Sequence, residues 1–369
     1  MGINSIEIKN FKSIRDSGKI ELKELNVLIG PNGAGKTNFI SFFKMLNSIY
    51  EEKLQLYSGI NGRADNLLYF GVKKSESLYG KITFDNDYKN EYEFKLVPDN
   101  SGNLIFAEEW SSYKESELSY ISQSIYDKNK KINAGGTLET NLKKSDGFGT
   151  QYLREFFESF KIYHFHDTSF NSKVKQPCEL NDYAYLYEDG GNIAAFLYRL
   201  SKEKPDNFKM IENVINSIAP FFQKFYLVPD EIDKNRIFLR WYEKGSDKIF
   251  SSHNLSDGTL RMICLTTLLL QSQKPATIII DEPELGLHPF AISKLASMLK
   301  IASKESQIIV STQSVELINE FSPEDIIVVD RADNQTVFKR QSSEELSDWL
   351  EEYSIGELWD KNVIGGNPL

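Results

Sequence analysis

Gly30 to Thr37 reads GPNGAGKT. The segment fits G-x-x-x-x-G-K-[ST], the pattern of a loop that wraps phosphate groups. Its flanks fit too. Leu25 to Ile29, LNVLI, is a short apolar run with strand character, and NFISFFKML from Asn38 carries apolar residues at helical spacing. The glycines therefore stand between a strand and a helix. Lacking a Cβ, they let backbone N–H groups curl around an anion at a helix N-terminus, where the helix dipole favours negative charge. Asn32, Gly33, Ala34, Gly35, Lys36, Thr37 and Asn38 are the candidate phosphate-binding residues. Lys36 is placed to reach the outer phosphates and Thr37 to hold Mg²⁺. A glycine-rich turn without a ligand is the bland alternative, but every fixed position of the pattern is filled.

Three further motifs lie downstream. Thr277 to Pro283, TIIIDEP, is an apolar run suited to a buried parallel strand and ends in two acids. Asp281 at its tip is the candidate Mg²⁺ partner, direct or through water. Glu282 is placed to polarise a water for attack on a γ-phosphate. Upstream of it, His253 to Thr259, HNLSDGT, precedes the apolar helix LRMICLTTLLL. Ser256 can cap that helix, whose N-terminus again suits an anion. Gln307 to Ser314, QIIVSTQS, reads as another buried strand with a polar end. There Gln313 is the candidate γ-phosphate sensor, against the alternative of an ordinary strand end.

Together these segments resemble the ATP-binding-cassette ATPase superfamily. LSDGT stands where that family has an LSGGQ-type signature, DEPELGLHP looks like a Walker B with its D-loop, and STQS stands where many members have a histidine switch. Gln313 departs from that histidine and cannot carry its proton or charge. The opening IEIKNFKSIR at Ile6 to Arg15 resembles the NFKS start of the RecF, SMC and Rad50 branch. In that branch a basic residue here touches the nucleotide, which implies Lys12 or Arg15. A narrower resemblance is to stand-alone RecF-like AAA family ATPases, relatives of the overcoming-lysogenization-defect (OLD) proteins. It rests on YHFHDTS at Tyr163 to Ser169, EDGGNIAAFLYRL at Glu188 to Leu200 and ELWDKNVIGGNP near the C-terminus.

The resemblance implies an α/β fold: a P-loop NTPase of ABC-type head architecture, with an antiparallel β layer and an inserted helical lobe. It implies ATP and Mg²⁺ as cofactors and a homodimer that sandwiches two ATPs. Ser256, Asp257 and Gly258 of one head would then face the phosphates held by the other, leaving Glu282, Gln313 and Lys36 as the catalytic set. OLD proteins carry a Toprim nuclease after the ATPase. This sequence continues only briefly past its last core strand, so a separate nuclease-type effector in anti-phage defence is expected. A RecF-like repair ATPase that binds DNA itself is the alternative. A transporter cassette is disfavoured by the long insertion between the P-loop and LSDGT.

Composition agrees. Forty-three Lys and Arg against 53 Asp and Glu leave a net charge of −10, which argues against a general nucleic-acid coat but not against a local basic groove. Cys178 and Cys264 are too few for a disulfide framework. MGINSIEIKNF has no leader-like apolar core, and no apolar run is long enough to span a bilayer, so a cytoplasmic protein is expected.

Four segments are expected: 1–107, first half of the ATPase core; 108–250, helical insertion and return strands; 251–332, second half of the core; and 333–369, a helical tail. Residues 108 to 160 read as helices joined by a lysine-rich loop. In the tail, Ser342 with Glu345 resembles a capping box, and Leu346, Trp349, Leu350 and Tyr353 share one face, for the chain's own core or for a partner. His164 to Asp167 is either a Mg²⁺- and water-contacting loop or a structural one. Lys128, Lys130, Lys131, Lys143 and Lys144 form either a solvated patch or a nucleic-acid contact. His288 is expected to position the D-loop.

Overall fold

The computed structural model describes residues 2–114, 127–133 and 135–366, with the backbone alone at 114, 127–130 and 133. Two compact units form: Met1–Phe160 with Ser322–Leu369, and Lys161–Phe321.

In the first unit, six antiparallel strands lie in the order Ile14–Glu21, Ile3–Phe11, Leu78–Phe84, Glu91–Pro98, Leu104–Lys114 and Asp127–Asn133. Leu78–Phe84 alternates strictly between buried and half-buried residues, as a sheet with one covered face requires. The helix Lys36–Tyr50 covers that face: the Phe42 ring stacks on Phe94 at 6.1 Å and meets Phe11 edge-on at 5.5 Å. From the same helix Phe39 meets Phe338, 5.2 Å away on the strand Gln335–Arg340. Each such buried ring contributes about 1.5–3 kcal/mol, so the P-loop helix is clamped by apolar contacts from two strand groups. The wholly buried strand Leu25–Ile29 runs parallel to Ile326–Ala332, with Val27 opposite Ile326 and Ile29 opposite Val328. Ile326–Ala332 turns back antiparallel into Gln335–Arg340.

The expectation of helices over residues 108–160 is corrected in its first half. Leu104–Lys114 is a strand paired to Glu91–Pro98, Asp127–Asn133 is paired to it in turn, and among the described residues of this stretch only Phe148–Ser159 is an α-helix. The strand's pattern is masked by Glu109, a fully buried acid that accepts hydrogen bonds from the Tyr92 and Thr140 hydroxyls. A register shift beside Ala107 breaks the alternation as well.

The tail also differs from expectation. Ser342 Oγ does accept from Glu345 N, but only Ser347–Leu350 is helical there, and Trp349 is 46% exposed. A second short helix, Ile355–Asp360, opens on a capping box of Ser354 and Glu357 and buries Ile355, Leu358 and Trp359. Of the apolar face offered for the tail, Leu346 is buried, Leu350 and Tyr353 are half-buried and Trp349 is exposed, so the chain's own core takes only part of it. Beyond it Gly366 donates its N–H to Asp330 Oδ2 at 3.0 Å and accepts from Trp359 Nε1 at 2.8 Å. Residues 367–369 of the GGNP end lie outside the described set.

In the second unit, Thr277–Asp281 and Gln307–Thr312 pair in parallel, with Ile279 opposite Ile309 and Asp281 opposite Ser311. Ile278 to Ile280 and Ile308 to Val310 are almost completely buried, the apolar-run signature of covered parallel strands. Helices Asp257–Leu270 and Pro289–Ala302 belong to this unit, as do the helices Ile193–Glu203 and Pro205–Ile218 and a three-stranded sheet of Phe222–Phe225, Arg240–Glu243 and Ile249–Ser251. Among the described residues, no helix is long and apolar enough to cross a membrane.

Candidate active site

The P-loop is shaped by its glycines. A Cβ on Gly30 would fall 2.1 Å from the Val329 carbonyl oxygen, and one on Gly35 would fall 2.1 Å from Thr336 Oγ1. Gly33 and Gly35 adopt φ of 81° and 121°, which side chains rarely tolerate. Helix Lys36–Tyr50 starts with no side-chain cap, which leaves first-turn N–H groups for a ligand. The buried Lys36 turns its ammonium onto the carbonyls of Gly30 and Pro31, at 2.5 and 3.2 Å. Thr37 is exposed at the first turn.

Thr336, which the sequence reading did not single out, straps this loop. Its buried hydroxyl donates to the Ala34 carbonyl at 2.7 Å and lies 2.7 Å from Ser13 Oγ, which accepts from Asn38 Nδ2 at 2.7 Å. The NFKS segment is thereby tied to the P-loop through Ser13, between the two candidate cations. Lys12 is half-buried with a left-handed φ of 49°. Burial, and then the nearby charge of Lys44, lower its pKa, so an anion here would relieve both. Arg15 is exposed. A Cβ on Gly366 would come within 3.6 Å of Gly30 Cα, which brings the tail against the start of the loop.

The second unit assembles the acids. Asp281 ends its strand and accepts a hydrogen bond from Ser311 Oγ. Glu282 follows in the left-handed region at φ 41°, with its N–H held by the Ser311 carbonyl at 2.9 Å. Such backbone strain in a non-glycine residue costs about 1–3 kcal/mol and persists where surrounding bonds impose it. Gln313 Nε2 donates to Glu282 Oε1 at 2.7 Å. Glu284, another residue missed from sequence, lies beneath this pair at 9% exposure, and burial raises its carboxyl pKa.

Ser256 caps the helix Asp257–Leu270, accepting from Thr259 N at 3.2 Å. Asp257 pairs with Lys175 at 3.5 Å. A Cβ on Gly258 would fall 2.5 Å from the Gly286 carbonyl oxygen, so the first turn of this helix rests directly on the loop that follows Glu282. Arg261 reinforces this contact, donating to the carbonyls of Leu285, Phe165 and His166 at 2.6, 3.2 and 2.9 Å. His288 caps the next helix, its Nδ1 accepting from Phe290 N at 3.3 Å.

The His164–Asp167 loop is bonded within the unit. His164 N donates to the Glu188 carbonyl, and Asp167 accepts from the Ser169 side chain and backbone, which lowers its pKa. Of the lysine patch, Lys131 faces the Trp110 ring, while Lys143 and Lys144 approach Glu51 and Glu52 at 3.8 and 3.7 Å. The side chains of Lys128 and Lys130 lie outside the described residues. Among the described residues, no group of three or more His, Cys, Asp or Glu could hold a metal by itself.

Comparisons with known proteins bear on the family and the fold. The family model described as "AAA domain, putative AbiEii toxin, Type IV TA system" matches residues 25–319. The Old nuclease of Escherichia phage P2 is 22% identical over 398 residues, covering 93% of this chain and 62% of that protein. An ATP/GTP phosphatase of Helicobacter pylori is 22% identical over 126 residues, covering 32% of this chain and 34% of that protein. The chain thus spans less than two-thirds of the length of these curated relatives. A solved SMC head, bound to the C-winged helix domain of ScpA, superposes with a TM-score of 0.60 at 16% identity, covering 94% of this chain and 100% of the head. The fold is that of a P-loop ATPase head of the ABC type.

Proposed function

The chain belongs to the AAA domain family that its residues 25–319 match and is a RecF/SMC/Rad50-like ATPase related to the OLD proteins; on that premise we propose a Mg²⁺-dependent, nucleotide-gated switch. Its ATP-sandwiched homodimer controls a separate nuclease-type effector in bacterial anti-phage defence. The observation that carries the switch is the contact of Gly258 with the Gly286 carbonyl, which joins the signature turn to the loop after Glu282. A movement of Glu282 at hydrolysis is thereby passed to the surface that would hold the second copy.

The residues divide the work as follows. The P-loop N–H groups and Lys36 hold the phosphates of ATP, with Lys12 or Arg15 adding a cation from the NFKS segment. Bound Mg²⁺, held by Thr37 and Asp281, would neutralise developing phosphate charge. Glu282 takes the proton of the attacking water, while Gln313 orients Glu282 and reports on the γ-phosphate. Ser256, Asp257 and Gly258 present a helix N-terminus to the nucleotide of the other copy. A single copy leaves those phosphates open to water, so turnover depends on dimerisation. A nuclease-type effector is supported by the relative named Old nuclease, and a protein partner by the SMC head that binds ScpA.

The test compares Glu282→Gln and Lys36→Ala. Glu282→Gln binds ATP, loses about a hundredfold or more in turnover and accumulates as a dimer in sedimentation with ATP and Mg²⁺. Lys36→Ala binds no nucleotide. A wild-type rate in Glu282→Gln refutes its role as base. Pull-down of tagged Glu282→Gln from its host recovers a nuclease-type protein; recovery of nuclease-sensitive DNA without such a protein replaces this reading by the RecF-like repair ATPase.

A further inference from the structure

We propose that Glu284 is a positioning residue for ATP hydrolysis: its buried carboxyl fixes the Thr312–Gln313 turn and so aims the Gln313 amide at Glu282. The inference rests on the reading of Glu282 as the base.

The bonds form a short chain. Glu284 Oε1 accepts from Thr312 Oγ1 at 2.5 Å and from the Gln313 backbone N–H at 3.3 Å. The Gln313 side chain donates to Glu282 at 2.7 Å. Glu282 in turn has its backbone N–H fixed by Ser311, the residue before Thr312. Both ends of the Glu282–Gln313 pair are thus referred to one strand end, and Glu284 pins that end from below. A glutamine side chain left to itself has up to about 2 kcal/mol of rotamer entropy to lose. Anchoring its backbone narrows where its amide can reach.

The choice of an acid needs a reason. Oε2 of Glu284 is buried with no hydrogen-bond partner among the described residues, and burying an unsatisfied polar atom costs about 1–3 kcal/mol. Stability alone would favour an apolar residue at this depth. Oε1 supplies what an apolar residue lacks, a twin acceptor at the turn that carries Gln313. Glutamine reproduces that acceptor; alanine does not.

The experiment measures kcat, KM and ATP binding for Glu284→Ala, Glu284→Gln, Thr312→Val and Thr312→Ser, with Glu282→Gln as reference. Glu284→Ala loses about 10- to 100-fold in kcat, the scale of a reacting group misplaced by about 1 Å, while ATP binding stays within about twofold. Glu284→Gln keeps both bonds and stays within about threefold of wild type. Thr312→Val follows Glu284→Ala, and Thr312→Ser follows wild type. Adding Glu284→Ala to Glu282→Gln costs nothing further, because both act through one carboxylate. Should Glu284→Ala fail to fold, the threonine pair decides. The inference is overturned if Glu284→Ala keeps its kcat beside an inactive Glu282→Gln. It also falls if ATP binding drops as far as kcat, or if Glu284→Gln is as slow as Glu284→Ala. A wild-type rate in Glu282→Gln instead removes the underlying assignment of the base.

Discussion

Replacing Thr336 by valine isolates the strap over the P-loop. The side chain has no exposed surface, so an isosteric methyl opens no cavity. It removes the donor to the Ala34 carbonyl and the contact with Ser13 Oγ, both 2.7 Å long. Each bond contributes a net of about 0.5–1.5 kcal/mol, and a carbonyl left buried without its donor adds a desolvation cost, for a total of about 2–4 kcal/mol. Part of this is lost from the whole fold and part from the loop conformation that receives phosphate. Every 1.4 kcal/mol that falls on the loop weakens ATP binding about tenfold. Calorimetric ATP titration of Thr336→Val should therefore show a Kd raised about tenfold or more, with a melting temperature lowered by several degrees. Thr336→Ser, which keeps the hydroxyl, should bind nearly as wild type. Affinity within twofold of wild type and an unchanged melt for Thr336→Val would refute the strap.

Two further outcomes follow from the second unit. Gly258→Ala drives a methyl to 2.5 Å from the Gly286 backbone oxygen, so it should uncouple the signature from the D-loop; turnover falls strongly while ATP binding persists, and unchanged turnover would show the contact to be incidental. Glu284→Gln should also shift the pH dependence of stability. Burial raises the folded carboxyl pKa above its unfolded value. The folded state therefore holds the proton longer, and wild type loses stability as pH rises through that interval. The variant should melt with wild type in acid and above it at neutral pH; a difference independent of pH would mean that Glu284 does not titrate as its burial dictates.

The strand, glycine turn and helix around the P-loop, the buried strand that ends at Asp281 and the Ser256 cap were legible because each depends on residue types at adjacent positions, where a single sequence can show it. Thr336 was not, since its partner Ala34 lies 302 positions away and a threonine in a strand is unremarkable. Glu284 and Arg261 were hidden for a related reason: an acid in a loop and a base on a helix read as solvated until their burial and carbonyl partners are seen. The strand Leu104–Lys114 was misread because Glu109, polar in sequence, faces the core. The tail held two capping signatures, Ser342 with Glu345 and Ser354 with Glu357, and the longer helix formed at the second. There Ile355, Leu358 and Trp359 have a surface to bury against, and packing rather than capping decides the length of so short a helix.

The docking of Gly366 has a practical side. Its amide, its carbonyl and its lack of a Cβ are all engaged, and its neighbour in space is Gly30, whose carbonyl holds Lys36. A bulky group introduced beside Gly366 would therefore pull on the start of the P-loop. A reporter side chain placed there on purpose would in turn respond to any change in the loop's conformation.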